Sequence, residues 1–130
     1  MDAERLRSIP LFDGLSRNER QQVARWADEV DVEPGRHLVD QGEFPHEFFV
    51  IEEGAADVLV DGERIAALGP GDFFGEIALL EHHRRTASVV ATSPLRAIVM
   101  HSRDFVSMEE TMPEVAERVR EAMRQRLAGR

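Results

Sequence analysis

Cysteine is absent from this 130-residue chain, which excludes a disulfide frame, a thiolate metal site and a cysteine nucleophile. No apolar run is long enough to span a bilayer, so a membrane is not expected as a partner. The opening MDAERLRSIP lacks the apolar core of a signal peptide, and a cytoplasmic location is expected. Positive charge is scarce too: 16 Lys and Arg stand against 25 Asp and Glu, a formal charge of −9. Phosphate backbones are gripped by an excess of basic side chains, so this segment is not expected to bind nucleic acid. A small anion held by one local cluster is not excluded. Internal repeats, low-complexity tracts and a second-domain linker are also missing. The length suits one core, and residues 1–130 are read as a single domain.

What is present divides into a helical opening, a strand-and-turn middle and a helical end. In GLSRNERQQVARWADEV, Ser16 and Glu19 stand in capping-box register. Val23, Trp26, Ala27 and Val30 follow at helical spacing, which predicts an amphipathic helix over about residues 16–30. From about 30 to 100 the short runs EFFVI, ADVLV, RIAAL, ASVVA and RAIVM alternate with Gly, Pro and Asp turn signals. Asp61-Gly62 between two such runs predicts a two-residue hairpin. Many short strands without intervening helices predict a mainly β fold, an antiparallel jelly roll or barrel with helices at both ends. The closing helices are expected over about 102–127. Ser102 is expected to cap the first, and Thr111 with Glu114 to cap the second, which carries a stripe of Val115, Ala116, Val119, Ala122, Met123 and Leu127. That stripe is expected to pack on the barrel, on a ligand or on a second copy, making a homodimer through this helix an open expectation.

The stretch FGEIALLEHHRRTASVV, Phe74 to Val90, concentrates positive charge against small residues in an acidic chain. Gly75-Glu76 interrupts the strand pattern, and EIALL is long enough for about one and a half helical turns. The N-terminus of such a turn exposes backbone N–H groups that stabilise an anion. Arg84 and Arg85 follow, with small side chains that leave room beside a guanidinium. Backbone donors on one side and a forked cation on the other form a phosphate cradle. Glu76 would repel phosphate, but makes sense as an acceptor for the hydroxyls of a sugar in the same ligand. Each part also has a plainer reading: Gly75 as a turn, Glu76 as a first-turn charge, EHHRR as a solvated loop.

This stretch resembles the phosphate-binding cassette of cyclic nucleotide-binding domains: Phe-Gly-Glu, an aliphatic, Ala-Leu, a spacer, Pro-Arg and a small-Ala-Thr/Ser run. That family includes kinase regulatory subunits, cyclic nucleotide-gated channels and the catabolite activator protein. The resemblance extends from IPLFDGLSRNE through EPGRHLVDQGE and FFVIEEGAADVLVDGERIAALGPGDFFGE to VAERVREAMRQRL, nearly the whole chain. It implies a regulatory module whose ligand is a cyclic purine nucleotide, cAMP first and cGMP second, with no cofactor. It further implies that Glu76 accepts from the ribose 2′-hydroxyl beside the Gly75 backbone, and that Arg85 pairs with the cyclic phosphate. Ile77 and Ala78 in the same turn, with Thr86 and Ala87, would complete the cradle. Val58 and Leu68 would pack on ribose and base, and Thr86 or Ser88 would offer a hydroxyl. Arg84 stands where proline is usual, as in some channel members. No aromatic follows Phe105, so an aromatic lid over the base is not expected; Met123, Arg124 or Leu127 would have to serve.

Other readings are weighed by the same residues. A cupin-type metalloenzyme needs a His-x-His pair with a following Glu, which His37, His46, His82, His83 and His101 do not form. No spacing pairs a nucleophile with a base, so an enzyme is not expected. The sensor half of a DNA-binding regulator of the catabolite activator type remains an alternative. So does a degenerate domain that has lost its ligand, although Glu76 and Arg85 stand together against it.

Overall fold

EFFVIEE and LRAIVMH are apolar at successive positions, without the polar alternation of a strand that faces water on one side. The computed structural model, which describes residues 1–43, 46–75 and 84–128, shows why. Among the described residues, eight strands form two four-stranded antiparallel sheets: β1 (Ala27–Val32), β2 (His37–Val39), β3 (Glu47–Glu53), β4 (Ala56–Val60), β5 (Glu63–Leu68), β6 (Phe73–Phe74), β7 (Ser88–Ala91) and β8 (Leu95–His101). One sheet has the order β1-β8-β3-β6, the other β2-β7-β4-β5. The first sheet is covered on both faces. Phe48, Val50, Ile98, Met100 and Phe73 point to a core shared with the helices. Their neighbours Phe49, Ile51, Ala97, Val99 and Phe74 point to a second core between the sheets. A strand buried on both faces must be apolar throughout. The arrangement is the antiparallel β roll with flanking helices that the sequence predicts.

Helical segments close the first sheet. Two 3-10 turns, η1 (Ala3–Ser8) and η2 (Pro10–Phe12), precede α1 (Arg17–Val23), and α2 (Ser102–Thr111) and α3 (Pro113–Ala128) follow β8. Leu6, Phe12, Val23, Phe105, Met108, Val119 and Met123 fill the core beneath them. Four members of the stripe on α3, Val115, Ala116, Val119 and Met123, are buried within the chain, and the side chain of Leu127 lies outside those described. Arg120 lies over the Phe105 ring at 5.3 Å and reaches Glu109 at 2.8 Å, joining α2 to α3.

Three expectations are corrected. The first helix ends at Val23 and does not run to residue 30. Residues 27–32 pair instead along the full edge of β8, where Ala27 packs on the helix-side core while Val30 and Val32 pack between the sheets. Ser102 is not a cap but the first residue of α2, after an extended His101, and its N–H donates to the His46 carbonyl at 2.8 Å. Thr111 is not a cap either. It closes α2, two residues before Pro113 opens α3, and proline is well suited to that first position because its missing N–H would have no partner there. The Asp61-Gly62 hairpin forms as expected, with both residues at positive φ between β4 and β5.

The capping box at α1 also forms, and it does more than start a helix. Glu19 accepts the Ser16 N–H at 2.9 Å while Ser16 Oγ accepts the Glu19 N–H at 3.1 Å. The same carboxylate takes Arg118 Nη1 of α3 at 2.7 and 2.6 Å. The Ser16 N–H, then the Ser16 hydroxyl and Arg118, hold the Glu19 carboxyl below the usual range. Its contribution is therefore present at neutral pH and fades as pH falls through that lowered value. Glu19→Ala is expected to lower stability by about 1–2 kcal/mol, cap and bridge together. Arg118→Ala, which removes only an exposed bridge, should cost less than about 1 kcal/mol. Urea denaturation of the two variants at neutral pH measures the difference; equal losses would assign the whole effect to the bridge.

Candidate functional site

The site begins where β6 ends. Phe73 and Phe74 pair with Val50 and Phe49 of β3, and their rings lie 5.8 Å from Phe48 and 5.0 Å from Phe49. With those two residues fixed to opposite cores, the chain turns at Gly75, whose φ is +79°. A Cβ at this position would stand 2.6 Å from the Glu47 carbonyl oxygen and 2.8 Å from Arg85 Nη1. Glycine is required here for backbone conformation and for space, and the space is occupied by the Arg85 guanidinium.

Arg85 is only 7% exposed, the one charged residue among the buried described residues. Its backbone is held on both sides: its N–H donates to the Glu43 carbonyl and its carbonyl accepts the Gly42 N–H, each at 2.8 Å. Its Nη2 donates to the Glu47 carbonyl at 2.8 Å. Adjacent side chains of an extended segment point opposite ways, and Arg84 turns outward, exposed, with Nη1 on the Gly42 carbonyl at 2.8 Å. The acidic chain therefore places one arginine inside and its neighbour outside.

The inward arginine lines a cavity of about 430 Å³. Gly75, Arg85, Thr86 and Ala87 form one wall, and Val58, Val60, Ile65 and Leu68 of the β4–β5 hairpin form the other. Val39, Val89, Phe73 and Phe74 close the floor. Among the described residues the lining is mainly apolar with Arg85 its one charged member, and the size is that of a small-molecule site. Such a cavity suits a flat apolar body carrying a single anionic group.

Six sequence-predicted residues come together here: Gly75, Arg85, Thr86, Ala87, Val58 and Leu68. Ser88 does not line the cavity; its hydroxyl accepts the Gln41 N–H at 2.9 Å. Gln41 in turn pairs with Asp61, accepting its N–H at 2.9 Å, so Ser88 helps tie the hairpin tip to β7. Glu76, Ile77 and Ala78 lie outside the described residues, as does the short helix expected from EIALL. Val60 and Val89 are contributors that sequence reasoning missed, although Val60 stands two residues from Val58 on β4 and Val89 two residues after Ala87. Val39 carried no local signal, because only the pairing of β2 with β7 brings it opposite Val89.

The sequence matches the family described as the cyclic nucleotide-binding domain over residues 29–111, and the chain belongs to that family. A cAMP-dependent protein kinase regulatory subunit of Colletotrichum orbiculare is 39% identical over 102 residues, 77% of this chain and 26% of that protein. The chain spans about a quarter of the length of the curated relatives it matches. A solved structure from Geobacter metallireducens GS-15 shares the fold with a TM-score of 0.89, over 100% of this chain and 98% of that one, at 19% identity. The regulatory subunit of a cAMP-independent protein kinase A from Trypanosoma brucei is 26% identical, with a TM-score of 0.81 over 94% of this chain and 43% of that one.

If Gly75 keeps the seat of the arginine open, Gly75→Ala combines positive-φ strain with a clash and should cost about 2–4 kcal/mol. Gly62→Ala, at positive φ but with open space around it, should cost about 1–2 kcal/mol. Urea denaturation of both variants decides it. Matching losses would mean that the approach of Arg85 sets no steric demand at position 75.

Proposed function

We propose that this chain is a sensing module that binds a cyclic purine mononucleotide, cAMP, in the cavity between the β4–β5 hairpin and β7. The observation that carries the reading is the buried Arg85 in the lining of a cavity whose other described residues are mainly apolar. A guanidinium presents a fork of donors matched to two phosphate oxygens, and a low-dielectric wall strengthens that pairing. In this reading the Gly75 backbone and the Glu76 carboxylate take the ribose hydroxyl. Backbone N–H groups at Ile77, Ala78, Thr86 and Ala87 surround the phosphate, and Val58, Val60, Ile65 and Leu68 cover ribose and base. The module signals by moving α3, which the ligand shifts only by its differential affinity for two arrangements. The partner that reads this shift belongs to whatever larger assembly the module serves.

Isothermal titration with cAMP and cGMP tests the reading, and absence of binding by either would end it. Arg85→Lys is expected to weaken binding at least about tenfold, because lysine cannot reproduce the fork. Arg84→Ala should change affinity by no more than about twofold, since an exposed cation contributes little. A nucleoside lacking phosphate that binds as well as cAMP would transfer the ligand role to the apolar walls, a reading favoured by the cAMP-independent kinase relative.

The base is expected to be read weakly. Thr86 sits exposed at the cavity margin, where its hydroxyl would accept the exocyclic amine of guanine. One neutral hydrogen bond contributes about 0.5–1.5 kcal/mol, which is too little for exclusive selection. Both nucleotides should therefore bind, with cAMP equal or favoured. Thr86→Ala should weaken cGMP more than cAMP, and a zero double difference would leave Thr86 as a strand residue alone.

A further inference from the structure

The helix-side face of the first sheet carries two glutamates at the edge where the N-terminal segment lies on it. Ala27 and Val50 mark that face, and Glu29 and Glu52 follow each of them by two residues on β1 and β3. Glu52 stands at the irregularity in β3 where pairing with β8 skips a residue between Ile51 and Glu53. Bulges of this kind re-aim a side chain. Here the side chain ends up only 9% exposed beneath η1. A single cation meets the two carboxylates: Arg5 of η1 lies 3.6 Å from Glu29 Oε2 through Nε and 3.6 Å from Glu52 Oε2 through Nη1. Those separations are ion-pair contacts, too long for good hydrogen bonds. Glu52 Oε1 is buried and accepts from no donor. An ionised carboxylate in that position would be costly, whereas a proton shared with Glu29 would satisfy it.

We propose that Glu52 and Glu29 share a proton and, with Arg5, form a proton-operated clasp that holds the N-terminal 3-10 segment on the β roll. Among the described residues, Arg5 is the cation in contact with both carboxylates, and Arg96 adds a weaker attraction. Arg96, on the strand between the two glutamates, is committed to Asp31 at 2.9 Å. Ser8 and Glu53 border the adjoining cavity of about 320 Å³, with Pro10 and Gly71. Asp72, on the loop that packs there, accepts the N–H of its own Gly69 at 2.8 Å. The clasp also lies at the root of the binding cavity, since Ile51 accepts the Gly71 N–H at 2.8 Å and donates to the Asp72 carbonyl at 2.9 Å. That loop leads directly into Phe73, Phe74 and Gly75.

Burial first, and then the neighbouring Glu29, push the Glu52 carboxyl up to about 7, against the opposing pull of Arg5 and Arg96. A carboxyl raised on docking binds its proton more tightly docked than released. Docking is then strongest below the ordinary value of 4.5 and weakens as pH rises through about 7, opposite to the usual carboxylate. Even with the rise reduced by one unit, the docking constant falls about tenfold between pH 5 and pH 8.

The clasp does not depend on nucleotide, so it is tested on the unliganded chain. Amide exchange over residues 3–12, corrected for intrinsic pH dependence, should lose about tenfold protection from pH 5 to pH 8. Carbon-13 carboxyl shifts should show Glu52 titrating near neutrality. Glu52→Gln keeps the shape and fixes the group neutral, so its exchange protection should stay flat across this range. Wild-type protection that is flat, a Glu52 midpoint in the ordinary carboxylate range, or an unchanged slope in Glu52→Gln would each overturn the proposal.

Discussion

A strand pair that must be dry on both faces organises this protein. β3 and β8 lie side by side at the centre of the first sheet, with β1 and β6 outside them. Each contributes alternate side chains to the helix-side core and to the core between the sheets. A one-residue slip would exchange the two sets, so the register is fixed by both cores at once. The second sheet must cover one of those faces and the terminal helices the other. β6 continues the same sorting for only two residues before Gly75 turns the chain away. The cavity exists because the second sheet closes over the inner face while the chain turns away from the sheet edge at Gly75.

Within that frame the electrostatics are local. The formal charge of −9 gives little hint of a buried cation, yet Arg85 is held inward by three backbone carbonyl and amide groups and by the missing side chain of Gly75. The Glu47 carbonyl that orients its guanidinium sits at the start of β3, so the core strand also positions the buried cation. Arg118, by contrast, is exposed and bridges α3 to the start of α1 through Glu19. The inner arginine lines the cavity and the outer one docks a helix.

The N-terminal segment connects these features. η1 and η2 supply Leu6, Ile9, Leu11 and Phe12 to the helix-side core, and Pro10 packs against Gly71 at the head of the loop leading to the site. A proton-sensitive contact beneath η1 therefore acts on a segment that touches both the helices and the root of the cavity.

Strand-forming runs, the Asp61-Gly62 turn, the Ser16–Glu19 box and the Gly75/Arg85 pair were legible because each is a local pattern, set by backbone preference or by a motif. The end of α1 was not, because Trp26 to Val30 satisfies helical spacing equally well, and pairing with β8 decides between the two. Thr111 fits a capping box, but the preceding helix extends through it. The bond from the Gln41 N–H to the Ser88 hydroxyl joins residues far apart in the chain and left no local signal. Val39 enters the cavity only through the pairing of β2 with β7, and the two glutamates beneath η1 meet only when three separate elements converge. Sequence determined what depends on neighbours along the chain. Tertiary structure decided which of two adjacent arginines is buried, and which carboxylates must share a cation, because burial and pairing are set by residues distant in the chain.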